Sequence, residues 1–386
     1  MNPLPQPSSE QRAHSAEVLA IIRDEIAAQG GWISFARYME LALYAPGLGY
    51  YSAGLQKFGA SGDFVTAPEI SPLFGQTLAR QVAQVLIACN GNVLELGAGT
   101  GKLAVQVLTE LQQLGAVPEH YFILEVSAHL RRVQQETTWR ELPHELAVRV
   151  EWLESLPGEF TGCIIGNEVL DALPVHVVVT SPIQGAELFE RGIAIKNESL
   201  VWRERPASQR LTAHFATHPL PSGMVTEVCP AAAALIASLA FRLRQGAMLF
   251  MDYGFPRREY YHPQRSEGTL MCHYRHHAHG DPLLFPGLQD ITAHVDFSAI
   301  AEAATACGMQ VAGYATQAQF LINAGITELL ARTSPDDVDA YLPRAAEAQK
   351  LISPAEMGEL FKVIALAKEM DEPLIGFKRG DRRHTL

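Results

Sequence analysis

The sequence predicts an α/β protein built on a doubly wound parallel sheet, and three observations predict it. Strand, glycine-rich turn and helix follow one another without a break in Asn92-Val-Leu-Glu-Leu-Gly-Ala-Gly-Thr-Gly-Lys102. Further apolar runs at Tyr121-Phe-Ile-Leu-Glu125, Ala147 to Trp152 and Cys163-Ile-Ile-Gly166 alternate with helical stretches, which is the rhythm of strand-helix-strand crossovers. From Val175 to about Glu204 the pattern changes to period two, the mark of an antiparallel insertion.

Taken in order, Ser15 to Ala28 places Val18, Leu19, Ile21, Ile22 and Ile26 on one helical face, and Gly30-Gly31 stops it. A second helix begins after Ser34 and carries Phe35, Tyr38, Met39 and Leu43. Residues 1–70 are therefore expected to be an N-terminal helical cover followed by a glycine- and tyrosine-rich loop of functional character. Ser71-Pro72 opens the next helix with a cap and a first-turn proline. Residues 71–174 form the first part of the core, 175–228 the insertion, and 229–316 the second part, with a helix from Pro230 to Gly246 and a strand at Met248-Leu-Phe-Met-Asp252. Tyr253 to Phe297 reads as irregular. Residues 317–386 supply C-terminal helices, with a capping box at Ser353-Pro-Ala-Glu356, and a last strand at Val363-Ile-Ala-Leu366.

The glycine loop sorts ligand classes by spacing. A P-loop needs glycine where Leu96 stands and Ser or Thr where Leu103 stands. A dinucleotide fingerprint needs its third glycine where Lys102 stands. Both fail. Glu95-Leu-Gly97-x-Gly99-x-Gly101 instead resembles the first motif of class I methyltransferases that bind S-adenosylmethionine. Glu125, ending the next strand, is the right group to accept both hydroxyls of a ribose, since a carboxylate takes two hydrogen bonds at once. In such sheets the ligand lies over the carboxyl ends of the strands, which groups the loop, Glu125 and Asn167 to Asp171 around one crevice.

Composition narrows the partners. The formal net charge is −12, with no long basic run, which argues against nucleic acid and favours a basic protein side chain as substrate. Five scattered cysteines without a C-x-x-C pair fit buried thiols in a reducing compartment. No apolar run reaches membrane-spanning length, and Met1 to Pro7 lacks both a signal-peptide and an arginine-rich transit pattern, so a cytoplasmic location is expected.

Methyl transfer from a sulfonium asks the protein for alignment, desolvation and sometimes a base. Glu168 and Asp171, just after the fourth strand, are the candidates for orienting a cationic acceptor. The histidines at 273, 276, 277 and 279 match no metal-ligand spacing with an acid or cysteine partner, so no metal is expected. Some of them are expected to line the acceptor side.

Longer segments resemble one family nearly end to end, the MidA family of S-adenosylmethionine-dependent methyltransferases. They are Phe35-Ala-Arg-Tyr-Met39, Leu43-Tyr-Ala-Pro46, Gly49-Tyr-Tyr51, Gly62-Asp-Phe-Val-Thr-Ala-Pro-Glu-Ile-Ser71, the glycine loop, Glu125-Val-Ser127 and Asn167-Glu-Val-Leu-Asp-Ala-Leu-Pro174. Asp252-Tyr-Gly254, Pro286-Gly287, Asp290-Ile-Thr-Ala-His-Val-Asp-Phe297, Met357-Gly358 and Phe361-Lys-Val363 continue the match. The chain departs from the pattern at Ala98, where proline is common, and at Val169-Leu170, where an aromatic pair is common. The resemblance implies a class I, Rossmann-like methyltransferase acting on a protein arginine. It implies that the glycine loop and Glu125 hold the cofactor and that Asn167 to Asp171 border the site. The residues expected around the cofactor are Thr66, Glu95, Gly97, Gly99, Gly101, Glu125 and Asn167, and those expected in catalysis are Glu168 and Asp171. Gly62 to Glu69 would border the site. A small-molecule methyltransferase and a non-catalytic assembly chaperone that binds the cofactor remain the alternatives, and the oligomeric state, a homodimer included, stays open.

Overall fold

A computed structural model describes residues 4–53, 66–181 and 187–386. The core is one twisted sheet whose main strands are β1 (Asn92–Leu96), β2 (Tyr121–Leu124), β3 (Val150–Leu153), β4 (Phe160–Asn167), β5 (Leu243–Phe255), β6 (Gln310–Thr316) and β7 (Phe361–Lys368). Their spatial order is β6-β7-β5-β4-β1-β2-β3. Strands β1 to β5 pair in parallel, whereas β7 runs antiparallel to both β5 and β6. The order reverses beside β1, between its parallel neighbours β2 and β4, so the glycine loop leaves the sheet at the switch point where such folds bind ligands.

Both faces of the sheet are covered. Helices Pro72–Cys89 and Lys102–Gln113 pack on one face with the C-terminal helices, and Pro230–Arg242 and Phe297–Ala306 pack on the other. A third apolar core joins helices Ser9–Ala28 and Phe35–Tyr44 to the inserted strands His176–Thr180 and Leu188–Lys196. Ile33–Ser34 adds an edge to that inserted sheet by pairing with Leu188–Lys196. The cover and the insertion thus share one sheet and one core.

The second helix starts where sequence reasoning puts it, because Ser34 Oγ accepts from the Arg37 N–H at 3.2 Å. Ser34→Ala should lower stability by about 1 kcal/mol, read as a lower urea midpoint at unchanged slope.

Three local expectations are corrected. Gly246 does not end a helix: the helix stops at Arg242, and Gly246 lies inside β5 at φ +131°, where a Cβ would sit 1.9 Å from the Gly162 carbonyl oxygen. Ser353 does not cap a new helix but closes the one at Val338–Ile352, its carbonyl accepting from the N–H groups of Glu356 and Gly358 in a turn. The stretch read as irregular holds a small sheet of Met271–Tyr274, His277–His279 and Asp290–Thr292. Its hairpin turns through Arg275 and His276, both at positive φ.

Candidate active site

A cavity of about 1500 Å³ opens over the carboxyl ends of β1, β2 and β4. That exceeds the space one small ligand needs, and leaves room for a second reactant. At its near end lies the glycine loop. Gly97 and Gly99 adopt φ of +59° and +53°, so the backbone itself forms the wall there.

Glu125, leaving β2, accepts from the Ser127 N–H and from Gln134 Nε2, each at 2.8 Å. Gln134 is fully buried and also reaches the Gly99 carbonyl at 3.0 Å, so one carboxamide ties the glycine loop to the carboxylate. Glu95 lies within β1 at 2% exposure and accepts the Tyr121 hydroxyl at 2.7 Å. Burial raises its pKa to about 7, the Tyr121 hydrogen bond lowers it, and repulsion from Glu125 adds to the rise.

The far end is acidic. Strand β4 ends at Asn167, and Glu168 turns out of it at φ +53° with its N–H donating to the Met251 carbonyl at 2.9 Å. A glutamate in this conformation is strained, and the bond to β5 holds it there. Burial pushes the Glu168 pKa up to about 8, with repulsion from Asp171 and Asp290 adding to it. Hydrogen bonds from Asn167 Nδ2, at 3.1 Å, and from the Ala67 N–H act in the opposite direction. Asp171 is buried as well, and its pKa rises to about 6 although the Tyr253 hydroxyl donates to its Oδ2 at 2.5 Å. Behind it, Asp252 accepts the N–H groups of Leu170, Asp171 and Tyr253 and so fixes the turn after β4. Asp290 joins from the small sheet and accepts the Tyr51 hydroxyl at 2.8 Å. Tyr44 stacks on Tyr51 with ring centroids 5.5 Å apart.

Among the described residues, two side-chain oxygens in this end are buried without a hydrogen-bond partner, Asn167 Oδ1 and Asp171 Oδ1. Both are acceptors, and both belong to residues that line the cavity. Buried acceptors cost free energy unless a donor arrives, so they mark where a ligand's N–H groups fit.

Of the residues singled out in the sequence, Thr66, Glu95, Gly97, Gly99, Glu125, Asn167, Glu168 and Asp171 line this one cavity. Gly101 does not: at φ +85° it faces Gln134, whose Cα lies 3.1 Å from where a Cβ would stand. Of the loop expected to border the site, Gly62 to Val65 lie outside the described residues, while Thr66, Pro68 and Glu69 line the cavity. His273 and His294 also line it, whereas His276 lies exposed in the hairpin turn. Sequence reasoning missed Gln134, Tyr253 and Asp290 as site residues, together with the supporting Asp252, whereas Glu69, Tyr44 and Tyr51 lie in stretches it expected to border the site or to be functional. Asp252-Tyr253 and Asp290 stand inside segments that carry the family resemblance, which was the available signal.

The chain is similar to several known proteins along most of its length. A model of a family described as S-adenosyl-L-methionine-dependent methyltransferases matches residues 77–315. Protein arginine methyltransferase NDUFAF7, mitochondrial, of Bos taurus is 31% identical over 379 residues, covering 87% of this chain and 80% of that protein. The Danio rerio protein of the same name is 30% identical over 376 residues, covering 87% of this chain and 83% of its own. A protein from Burkholderia thailandensis, solved with S-adenosyl-homocysteine bound, is 52% identical, with a TM-score of 0.95 and full coverage of both chains. The relatives' names overturn the cytoplasmic expectation, since they are called mitochondrial. That expectation rested on the absence of a leader pattern, and the composition of a few terminal residues does not determine a compartment.

Proposed function

The chain belongs to the MidA family of S-adenosyl-L-methionine-dependent methyltransferases, and from that premise we propose that it methylates an arginine side chain of a partner protein. The observation that carries this reading is the acidic end of the cavity, where Glu168, Asp171 and Asp290 converge around unpartnered acceptor atoms. A guanidinium brings a permanent positive charge and five N–H donors in a planar fork, the complement of such a set. The printed names of the curated relatives support the same substrate class.

The cofactor is S-adenosyl-L-methionine. Glu125 would hold its ribose, with Thr66, Glu95, Gly97, Gly99 and Asn167 around it and Gly101 behind the loop. When bound, the cofactor supplies a methyl group on an already activated sulfonium centre. The protein's part is alignment and the handling of one proton. Glu168 accepts two guanidinium N–H bonds and aims the nitrogen. Transfer would form the carbon–nitrogen bond as the methyl–sulfur bond breaks and leaves a neutral thioether, and the proton that the nitrogen sheds would pass to Asp171 through its Oδ1. A carboxylate with a pKa of about 6 is ionised before transfer and still basic enough to be protonated in it.

The test is transfer of a labelled methyl group into protein, followed by complete hydrolysis. Methylarginine is the expected product. Label confined to small molecules, or to other residues, overturns the reading, and no transfer by a chain that still binds cofactor promotes the chaperone alternative.

Tyr253→Phe removes the hydrogen bond that favours ionised Asp171, so the Asp171 pKa should rise by about one unit. The lower part of the kcat/KM acid limb, which Asp171 sets below the fall that Glu168 sets near pH 8, should then move to higher pH. Near pH 6 the rate should fall several-fold, and above pH 8 it should approach that of the native protein. An unmoved acid limb would remove Asp171 from the proton path.

A further inference from the structure

We propose that Lys102 anchors the carboxylate of the cofactor's amino-acid arm, with Glu69 as the residue that positions it. The inference rests on the ribose lying at Glu125 and is independent of the acceptor's identity.

With the ribose at Glu125 and the methyl directed towards Glu168, the glycine loop, which lines the same cavity, is the wall along which the amino-acid arm would run. Lys102 stands where that loop becomes a helix, and its side chain lines the cavity while staying 39% exposed. Its Nζ lies 2.5 Å from Glu69 Oε2, and the Glu69 side chain is only 8% exposed. Glu69 is itself fixed, since Thr100 Oγ1 donates to its other oxygen at 2.5 Å. An ammonium has three N–H donors, so this pairing leaves Lys102 with donors for a carboxylate.

The other cations on the cavity wall suit this role less well. Arg37 is committed to Glu25 and Glu40 at 3.0 and 2.8 Å. Arg210 lies on the inserted helix Gln209–Ala216 and also lines a second cavity with Leu211 and His214. Holding a flexible ammonium against a buried carboxylate spends its rotamer entropy before the ligand arrives, which is how a positioning residue adds affinity.

A purely structural staple is the alternative, and two ligands separate it from the proposal. S-adenosylhomocysteine carries the amino-acid arm, whereas 5′-methylthioadenosine has the same adenosine and sulfur without it. Calorimetric titration of Lys102→Met should show S-adenosylhomocysteine bound about tenfold to a hundredfold more weakly, with 5′-methylthioadenosine within twofold of native. Lys102→Arg should recover most of the loss. Glu69→Gln should weaken the first ligand selectively and by less. Equal weakening of both ligands by Lys102→Met, or no change in either, overturns the proposal. Glu125→Ala, which should weaken both, keeps a failure of the ribose placement distinct from a failure at Lys102.

Discussion

Replacing Glu168 by glutamine should abolish methyl transfer by a factor on the order of 10² to 10⁴, leave S-adenosylhomocysteine affinity nearly unchanged, and make the folded protein more stable at alkaline pH. Glutamine keeps the shape, the acceptor for Asn167 Nδ2 and the same tolerance of the left-handed backbone. What it loses is the charge that would hold the guanidinium. The stability gain follows from the raised pKa of about 8 in the fold, against 4.5 for an unperturbed glutamate. Between those values the folded chain binds the proton that the unfolded chain releases, so stability falls as pH rises through the window. The glutamine variant escapes that fall. Its advantage should be negligible near pH 4.5, grow to on the order of 4 kcal/mol by pH 8, and level off beyond. Urea midpoints of both proteins at pH 5 and pH 8 read this directly. An advantage that does not change with pH would show that Glu168 is ionised in the free site, and normal turnover would remove it from catalysis.

The same group explains why the free site tolerates so much acid. Burial raises the pKa values of Glu168, Asp171 and Asp252, and repulsion from Asp171 adds to the rise of the other two, so the empty pocket carries fewer charges than carboxylates. A guanidinium reverses the balance: its charge lowers those pKa values and releases protons as it binds. Native transfer should therefore favour mildly alkaline conditions.

What sequence could and could not reveal follows from distance along the chain. The glycine loop, Glu125 and the residues after β4 each sit at the end of a strand, and strand ends are visible as local patterns. Ser34 and Ser71 were visible as caps for the same reason. Gly246 misled because a glycine after an apolar helical run looks like a helix stop, whereas the demand here comes from the Gly162 carbonyl in the neighbouring strand. The pairing of Tyr51 with Asp290 spans 239 residues, and that of Tyr253 with Asp171 spans 82. No periodicity encodes such a meeting. The hairpin at Arg275 and His276 was hidden differently, since its left-handed turn uses neither glycine nor asparagine. Histidine content drew notice there, yet the residue that matters most in that sheet is Asp290.

Gly101→Val should cost cofactor binding at least a hundredfold although residue 101 does not touch the cavity. Its backbone stands at φ +85°, which a β-branched residue adopts at a cost of about 1–3 kcal/mol. The new Cβ would press on the Gln134 backbone, 3.1 Å from Cα and 3.4 Å from the carbonyl oxygen, and a helix backbone yields far less readily than a side-chain tip. Helix Ala128–Glu141 must shift, and Gln134 must shift with it. That one carboxamide bonds Glu125 and the Gly99 carbonyl through Nε2 and accepts from Trp152 Nε1 at 3.0 Å. Displacing it turns the ribose-binding carboxylate and loosens the loop together. The strain is small against the 5–15 kcal/mol stability of ordinary domains, so the variant should still fold, with a lowered melting temperature. Gly101→Ala carries the same first atom without the branches and should lose about tenfold. Titration with S-adenosylhomocysteine, beside a thermal melt of each variant, separates the two effects. A folded Gly101→Val protein that binds like the native chain would mean that the loop and Glu125 do not act through Gln134.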